Sequence, residues 1–158
     1  LIFQEYLEWL EKTSWAADIR QSLWLYPVLE IVHILGIVLL VGPAFMFDLR
    51  LLGFSRSLPV AGLSTHLLPW SRRGLLLIIP SGVLLFITNA KTLGNDPVFW
   101  LKMGLLLVAG LNVFIFRNFI LRLNTHIGGE LRFSAKISAC VSIIVWISVI
   151  ACGRLLAY

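Results

Sequence analysis

Charge is scarce in this chain, and acid is scarcer than base. Asp, Glu, Lys and Arg make up 13% of the 158 residues, about half the share of a soluble domain, while hydrophobic residues make up 59% and mean hydropathy is +0.92. Those values exclude an ordinary soluble domain and describe an integral membrane protein. Cysteine is nearly absent. Cys140 and Cys152 stand twelve residues apart in one apolar segment, about 18 Å along a helix axis, too far to bridge each other. They read as small apolar packers and carry no information on redox compartment. The surplus of cations, a net charge of +5, includes no basic patch interleaved with aromatic residues, so nucleic acid is not a partner.

What the chain does have is four strongly apolar windows without Asp, Glu, Lys or Arg: residues 31–47, 74–90, 103–116 and 137–153. With their edges included, each reaches the roughly 20 apolar residues that a membrane span requires. The expected fold class is an all-α membrane protein, an antiparallel four-transmembrane-helix bundle in one domain, residues 1–158, with spans at about 27–47, 72–90, 98–120 and 134–155. The first window does not fit a cleaved signal peptide, because about two dozen residues with four acids precede it and no small-x-small site follows.

Residues 1–22 form an expected interfacial helix, with Phe3, Tyr6, Leu7 and Leu10 on one face and Glu5, Glu8, Glu11 and Lys12 elsewhere. Trp9, Trp15, Trp24 and Tyr26 lead into the first span, as aromatic residues do at the headgroup level. That span is expected to end near Asp48 and Arg50. Gly53, Pro59, Gly62 and Pro69 then predict a loop, with room for one interfacial turn of helix, before Arg72 and Arg73. Pro80 and Gly82, in "IPSG", predict a kink in the second span. "KTLGNDP" is a tight turn, and "NTHIGGELRF" joins spans three and four.

Orientation follows from the cations. Loops one and three carry Arg50, Arg56, Arg72, Arg73, Arg117, Arg122, Arg132 and Lys136; the opposite side carries Lys12, Arg20, Lys91, Lys102 and Arg154. The excess places loops one and three in the cytoplasm and both termini on the outer face.

Within the apolar stretch "YPVLEIVHILGIVLLVG", Glu30 and His33 lie on one helical face, His33 about 9 Å below the outer end of its helix. Lys102 begins span three and Arg154 ends span four at the same level. Glu30, His33, Lys102 and Arg154, with Trp100, Met103 and Asn89 as lining, compose an expected outer-leaflet polar site. A structural ion pair and a hydrogen-bonding histidine are the competing reading. His66 and His126 fall on the cytoplasmic side, which separates them from His33. One Glu-x-x-His and no second carboxylate in a span exclude a di-iron centre, and one His with one Met is a sparse donor set for copper. Haem b needs only one or two axial donors: His33 as the first, Met103 or Lys102 as the second, with Gly36, Ala109 and Gly110 leaving room for a flat macrocycle.

The segments "LYPVLEIVHILGIVLLVGPAFMFDLRLLG", "LLPWSRRGLLLIIPSGVLLF", "NDPVFWLKMGLLLVAGLN" and "SACVSIIVWISVIACGRLLAY" resemble, in that order, a bacterial family of four-helix membrane proteins of unknown function. More distantly, H-x-x-G from His33 together with Lys102 is similar to the four-helix haem-binding protoporphyrinogen oxidase, and to the membrane domain of the copper-resistance D type. The first similarity implies that His33 and Lys102 serve haem binding and activity. At the position where the family often has a histidine, this chain has Arg117.

The leading expectation is therefore a haem-b-binding redox or electron-transfer protein of the bacterial cytoplasmic membrane, acting on a quinone or porphyrin-like substrate. In it His33 ligates iron, Lys102 and Arg154 hold propionates or a substrate carboxylate, and Glu30 tunes or relays protons. The alternatives are a non-catalytic membrane subunit that anchors a larger complex, and a copper or small-solute transporter.

Overall fold

A computed structural model of the chain describes residues 2–120 and 133–157, the side chains of 119 and 120 excepted. The helices are α1 (Ile2–Glu11), α2 (Ser14–Gln21), α3 (Leu25–Leu52), α4 (Val60–Thr88), α5 (Ala90–Gly94), α6 (Pro97–Ile115), a π-helical turn (Phe116–Ile120) and α7 (Phe133–Leu155). Helices α3, α4, α6 with its π turn, and α7 are each long and apolar enough to cross a membrane. The fold class is that of an all-α membrane protein with four transmembrane helices. The "NTHIGGELRF" link, with Arg122, His126 and Arg132, lies outside the described residues.

Local chemistry sets the ends of α3. The Ser22 hydroxyl accepts the N–H groups of Trp24 and Leu25 at 3.4 and 3.2 Å, and Pro27 falls in the first turn, where its missing N–H is not needed. At the other end Gly53 adopts φ +108°. Its N–H donates to the Arg50 carbonyl and that of Phe54 to the Leu49 carbonyl, both at 3.1 Å. These are the two bonds of a Schellman cap, which requires the left-handed residue that glycine supplies. The helix therefore ends four residues beyond Asp48 instead of near it.

Helix α4 begins at Val60, where the sequence reading expected a loop to Arg72, and it runs through both Pro69 and Pro80. The reason is tertiary. Val60, Leu63 and Leu67, spaced as one helical stripe, pack on a core of Phe47, Leu51, Phe116, Ala135 and Ala139, and that burial outweighs the weak helix propensity of Gly62 and Pro69.

The chain divides into two compact units: Leu1–Gly42 with Pro69–Pro97, and Pro43–Leu68 with Val98–Tyr158. In the first unit α3 and α4 approach closely in antiparallel register. A Cβ on Gly74 would lie 2.7 Å from the Leu40 nitrogen and 2.8 Å from the Gly36 oxygen, and one on Gly36 would lie 2.7 Å from Ile78 Cγ1. Small residues at these levels let the two backbones meet. Ser71 Oγ donates to the Leu40 carbonyl at 3.0 Å and adds a polar contact to the seam.

The N-terminal helices close over the short α5 of the same unit. Leu7, 2% exposed, occupies the space that a side chain at Gly94 would fill. The Lys91 ammonium pairs with Glu8 at 2.6 Å, the Lys91 N–H donates to Glu11 at 2.8 Å, and Arg20 donates to the Thr88 carbonyl at 2.9 Å. Of the apolar face expected from the sequence only Leu7 is buried. Phe3 and Tyr6 are exposed, as are Trp9, Trp15 and Trp24.

In the second unit Phe47 and Phe116 meet edge to face with ring centroids 5.6 Å apart. Asn112 of α6 and Ser138 of α7 hold each other through two hydrogen bonds of 3.0 Å: Asn112 Nδ2 donates to the Ser138 carbonyl, and Ser138 Oγ donates to Asn112 Oδ1.

Candidate functional site

His33 sits on the α4-facing side of α3, partly buried, and its Nδ1 lies 2.9 Å from the Ser81 hydroxyl. The Ser81 Oγ donates to the Leu77 carbonyl one turn back on α4. A hydroxyl has one proton. With that proton given to Leu77, the Ser81 oxygen is able to accept from His33 in its Nδ1–H form. Gly82 completes the seat, because a Cβ there would stand 3.2 Å from His33 Cε1. "IPSG" is thus the counterpart of the Glu-x-x-His on α3. The sequence reading saw only a kink in it.

The N-terminal turns of α3 continue the same face. Tyr26, Glu30 and His33 follow at helical spacing. The Tyr26 hydroxyl hydrogen-bonds to Asn89, just beyond α4, and Glu30 between them is exposed. Glu30, His33 and Asn89 therefore stand together in the first unit.

Lys102, Met103, Trp100 and Arg154 belong to the second unit. Lys102 reaches across to the last turns of α7, its Nζ 3.8 Å from where a Gly153 Cβ would be, beside the buried Cys152. Met103 is partly buried and Arg154 exposed, while Trp100 is exposed and meets Phe99 edge to face. The structure brings Lys102 to the stretch of α7 that carries Arg154.

The chemistry of His33 is of the kind an axial haem ligand needs: one imidazole in an apolar span, its orientation set by a hydrogen bond between Nδ1 and Ser81. The slot expected at Gly36 is not there. Ile78 fills it, and Gly36 serves helix packing instead. Gly110, by contrast, has nothing within 4 Å of an added Cβ, and Ala109 is buried. Among the described residues no group of three or more His, Cys, Asp or Glu comes together to hold a metal ion. His66 is exposed on the first half of α4.

The structure adds one residue that sequence reasoning placed at the end of a span. Asp48 is 6% exposed. It hydrogen-bonds to Ser142 of α7, and its buried Oδ2 has no hydrogen-bond partner among the described residues. The signal was present in the sequence as an acid four residues from a Gly-terminated helix end, yet an acid near an apolar boundary ordinarily reads as the boundary.

No curated protein and no solved structure matches this chain. The model of a family described only as a family of unknown function, DUF6644, matches residues 6–158, almost the whole length, and the chain belongs to that family.

Proposed function

We propose that this protein is a haem-b-binding redox or electron-transfer protein of the bacterial cytoplasmic membrane, with His33 as the iron ligand. The observation that carries the reading is the seated imidazole: Nδ1 hydrogen-bonded to Ser81 across 2.9 Å, with Gly82 making room for the ring. Such a partner on the second nitrogen sets the ring angle and raises the basicity of a ligating histidine. Haem b bound there would supply one-electron chemistry.

The protein's own groups then have separable tasks. Ser81 orients His33. Glu30, one turn toward the outer end and exposed, exchanges protons with the aqueous side. Lys102 and Arg154, on α6 and α7 of the second unit, supply cations for the carboxylate of a porphyrin-like substrate; a quinone would use the same donors as hydrogen-bond partners. The cation excess on loops one and three supports a topology with both termini on the outer face. A C-terminal reporter active only in the cytoplasm should be silent, and an active one would reverse the orientation.

The test is an absorbance spectrum of the purified protein, oxidised and dithionite-reduced. A Soret band and a reduced α-band are expected, lost in His33→Ala and kept in His66→Ala. A colourless wild-type preparation after haem loading would overturn the reading.

A second reading has its own observation. Trp9 and Trp15 are exposed on helices that Leu7 and Lys91 lock in place, which suits a non-catalytic subunit that docks a larger membrane complex. Copurification with a stoichiometric partner in mild detergent supports it, and a stable monomer argues against it.

A further inference from the structure

We propose that Asp48 is an intramembrane proton-binding site, taking the proton on Oδ2 while its other oxygen is held by Ser142. Asp48 lies inside the apolar helix α3, four residues before its end and flanked by Phe47 and Leu51. Those two side chains, with Phe116 of the π turn and Ala135 and Ala139 of α7, form the buried core of the second unit. Into this environment the chain puts a carboxyl group that is 6% exposed, has one hydroxyl partner, and leaves a buried oxygen with none among the described residues.

A carboxylate in such a place would be an uncompensated charge, which costs several kcal/mol or more in low dielectric. Two things can relieve that cost, a cation or a proton. Among the described residues, the charged and titratable groups on the surrounding elements do not supply the cation. Arg50, on the same helix, donates its guanidinium to the Leu58 and Arg56 carbonyls at 2.6 and 3.1 Å. His66 on α4, Arg117 on the π turn and Lys136 and Cys140 on α7 are exposed. The Glu8–Lys91 ion pair lies in the other unit.

A metal cation is also poorly served. It needs about six oxygen ligands, and the nearest polar pair on the same face of α7, one turn from Ser142, is already closed: Ser138 and Asn112 satisfy each other. A proton needs only the oxygen that Asp48 offers. Protonation removes the charge, and release returns it, so Asp48 can carry one positive charge into and out of the membrane interior. Acids in spans serve that role in proton relays. The inference does not depend on His33, which lies in the first unit, so either assignment can fail without the other.

The experiment is infrared difference spectroscopy of the full-length protein in liposomes, wild type against Asp48→Asn, titrated from about pH 5 to about pH 9. The expected result is a carboxylic-acid C=O stretch that shifts in deuterated water, is missing from Asp48→Asn, and gives way reversibly to carboxylate bands within the titration. Ser142→Ala, which keeps the carboxyl and removes its hydroxyl partner, should move that band in frequency; it serves alone if Asp48→Asn does not fold. Three results would overturn the proposal: carboxylate bands for Asp48 throughout the titration, a C=O stretch that Ser142→Ala leaves in place, or a titration displaced by exchanging sodium for potassium, which would make the ligand a metal cation.

Discussion

The Ser81 hydroxyl lies 2.9 Å from His33 Nδ1, across the seam of α3 and α4, and it is the partner that turns a histidine in an apolar helix into an oriented one. The same hydroxyl also meets the Leu77 carbonyl, so one side chain ties the imidazole to the backbone of α4.

Ser81→Ala therefore leaves a partly buried ring nitrogen without its partner, at a cost of about 0.5–1.5 kcal/mol in unfolding free energy. If His33 ligates iron, haem affinity should also fall by about 10–100-fold, the usual effect of losing an outer partner of a ligating histidine. Gly82→Val attacks the same ring sterically, since its first carbon would already be 3.2 Å from Cε1. Haem titration and thermal unfolding of both variants check this. Unchanged haem affinity in both would separate the seat from any cofactor.

Glycines elsewhere in the spans divide sharply by what surrounds them. Gly74→Ala drives a carbon to 2.7 Å from the Leu40 nitrogen, which is backbone and cannot swing aside; overpacking of this kind costs about 1–3 kcal/mol. Gly110→Ala meets nothing within 4 Å and should be neutral or stabilising by up to about 1 kcal/mol, because alanine is the better helix former. Melting temperatures in one detergent should fall for the first and hold or rise for the second. Equal falls would mean that α3 and α4 do not meet at Gly74.

The sequence made the four spans legible because each is a charge-free window, and it singled out His33 because a histidine deep in such a window is costly. Other features were hidden for identifiable reasons. Ser81 is 48 positions from its partner, and only the antiparallel register of α3 on α4 makes them neighbours. The start of α4 was obscured by Gly62 and Pro69, whose loop signal is local, whereas the Val60, Leu63 and Leu67 stripe that defeats it gains meaning only with Phe47 and Leu51 to pack against. Gly36 looked like space. A glycine in a span signals close approach equally well, and here Ile78 is what approaches.

The Asn112 and Ser138 pair invites a double-mutant cycle. Each residue satisfies the other, so Asn112→Ala and Ser138→Ala should each destabilise the protein, and the double variant should lose less than the sum. The coupling expected for a polar contact between membrane helices is about 0.6–2 kcal/mol. Additive losses, read from unfolding in mixed micelles, would mean that the two side chains find other partners.

The docking of α1 on α5 should depend on pH in both directions. The Lys91 ammonium, by its hydrogen bond to Glu8 and then by the attraction of its opposite charge, holds the Glu8 carboxyl below its ordinary value, with Lys12 adding to the effect. The same contact raises Lys91 above its ordinary value. A depressed acid contributes stability that is complete above its unfolded value and disappears as pH falls through the folded one. A raised amine contributes stability that is complete below its unfolded value and disappears as pH rises through the folded one. The pair is therefore strongest across the neutral range and fails at both extremes, and because both groups are exposed, salt should weaken it throughout. Hydrogen exchange of the α1 amides is the measurement. Protection should be greatest near neutrality and reduced by Glu8→Gln or Lys91→Met to a flatter, salt-insensitive profile. Leu7→Ala should lower protection at every pH, since it removes the apolar contact with Gly94 and leaves the titrating pair in place. A wild-type profile already flat in pH and salt would show that Leu7 alone holds the helix down.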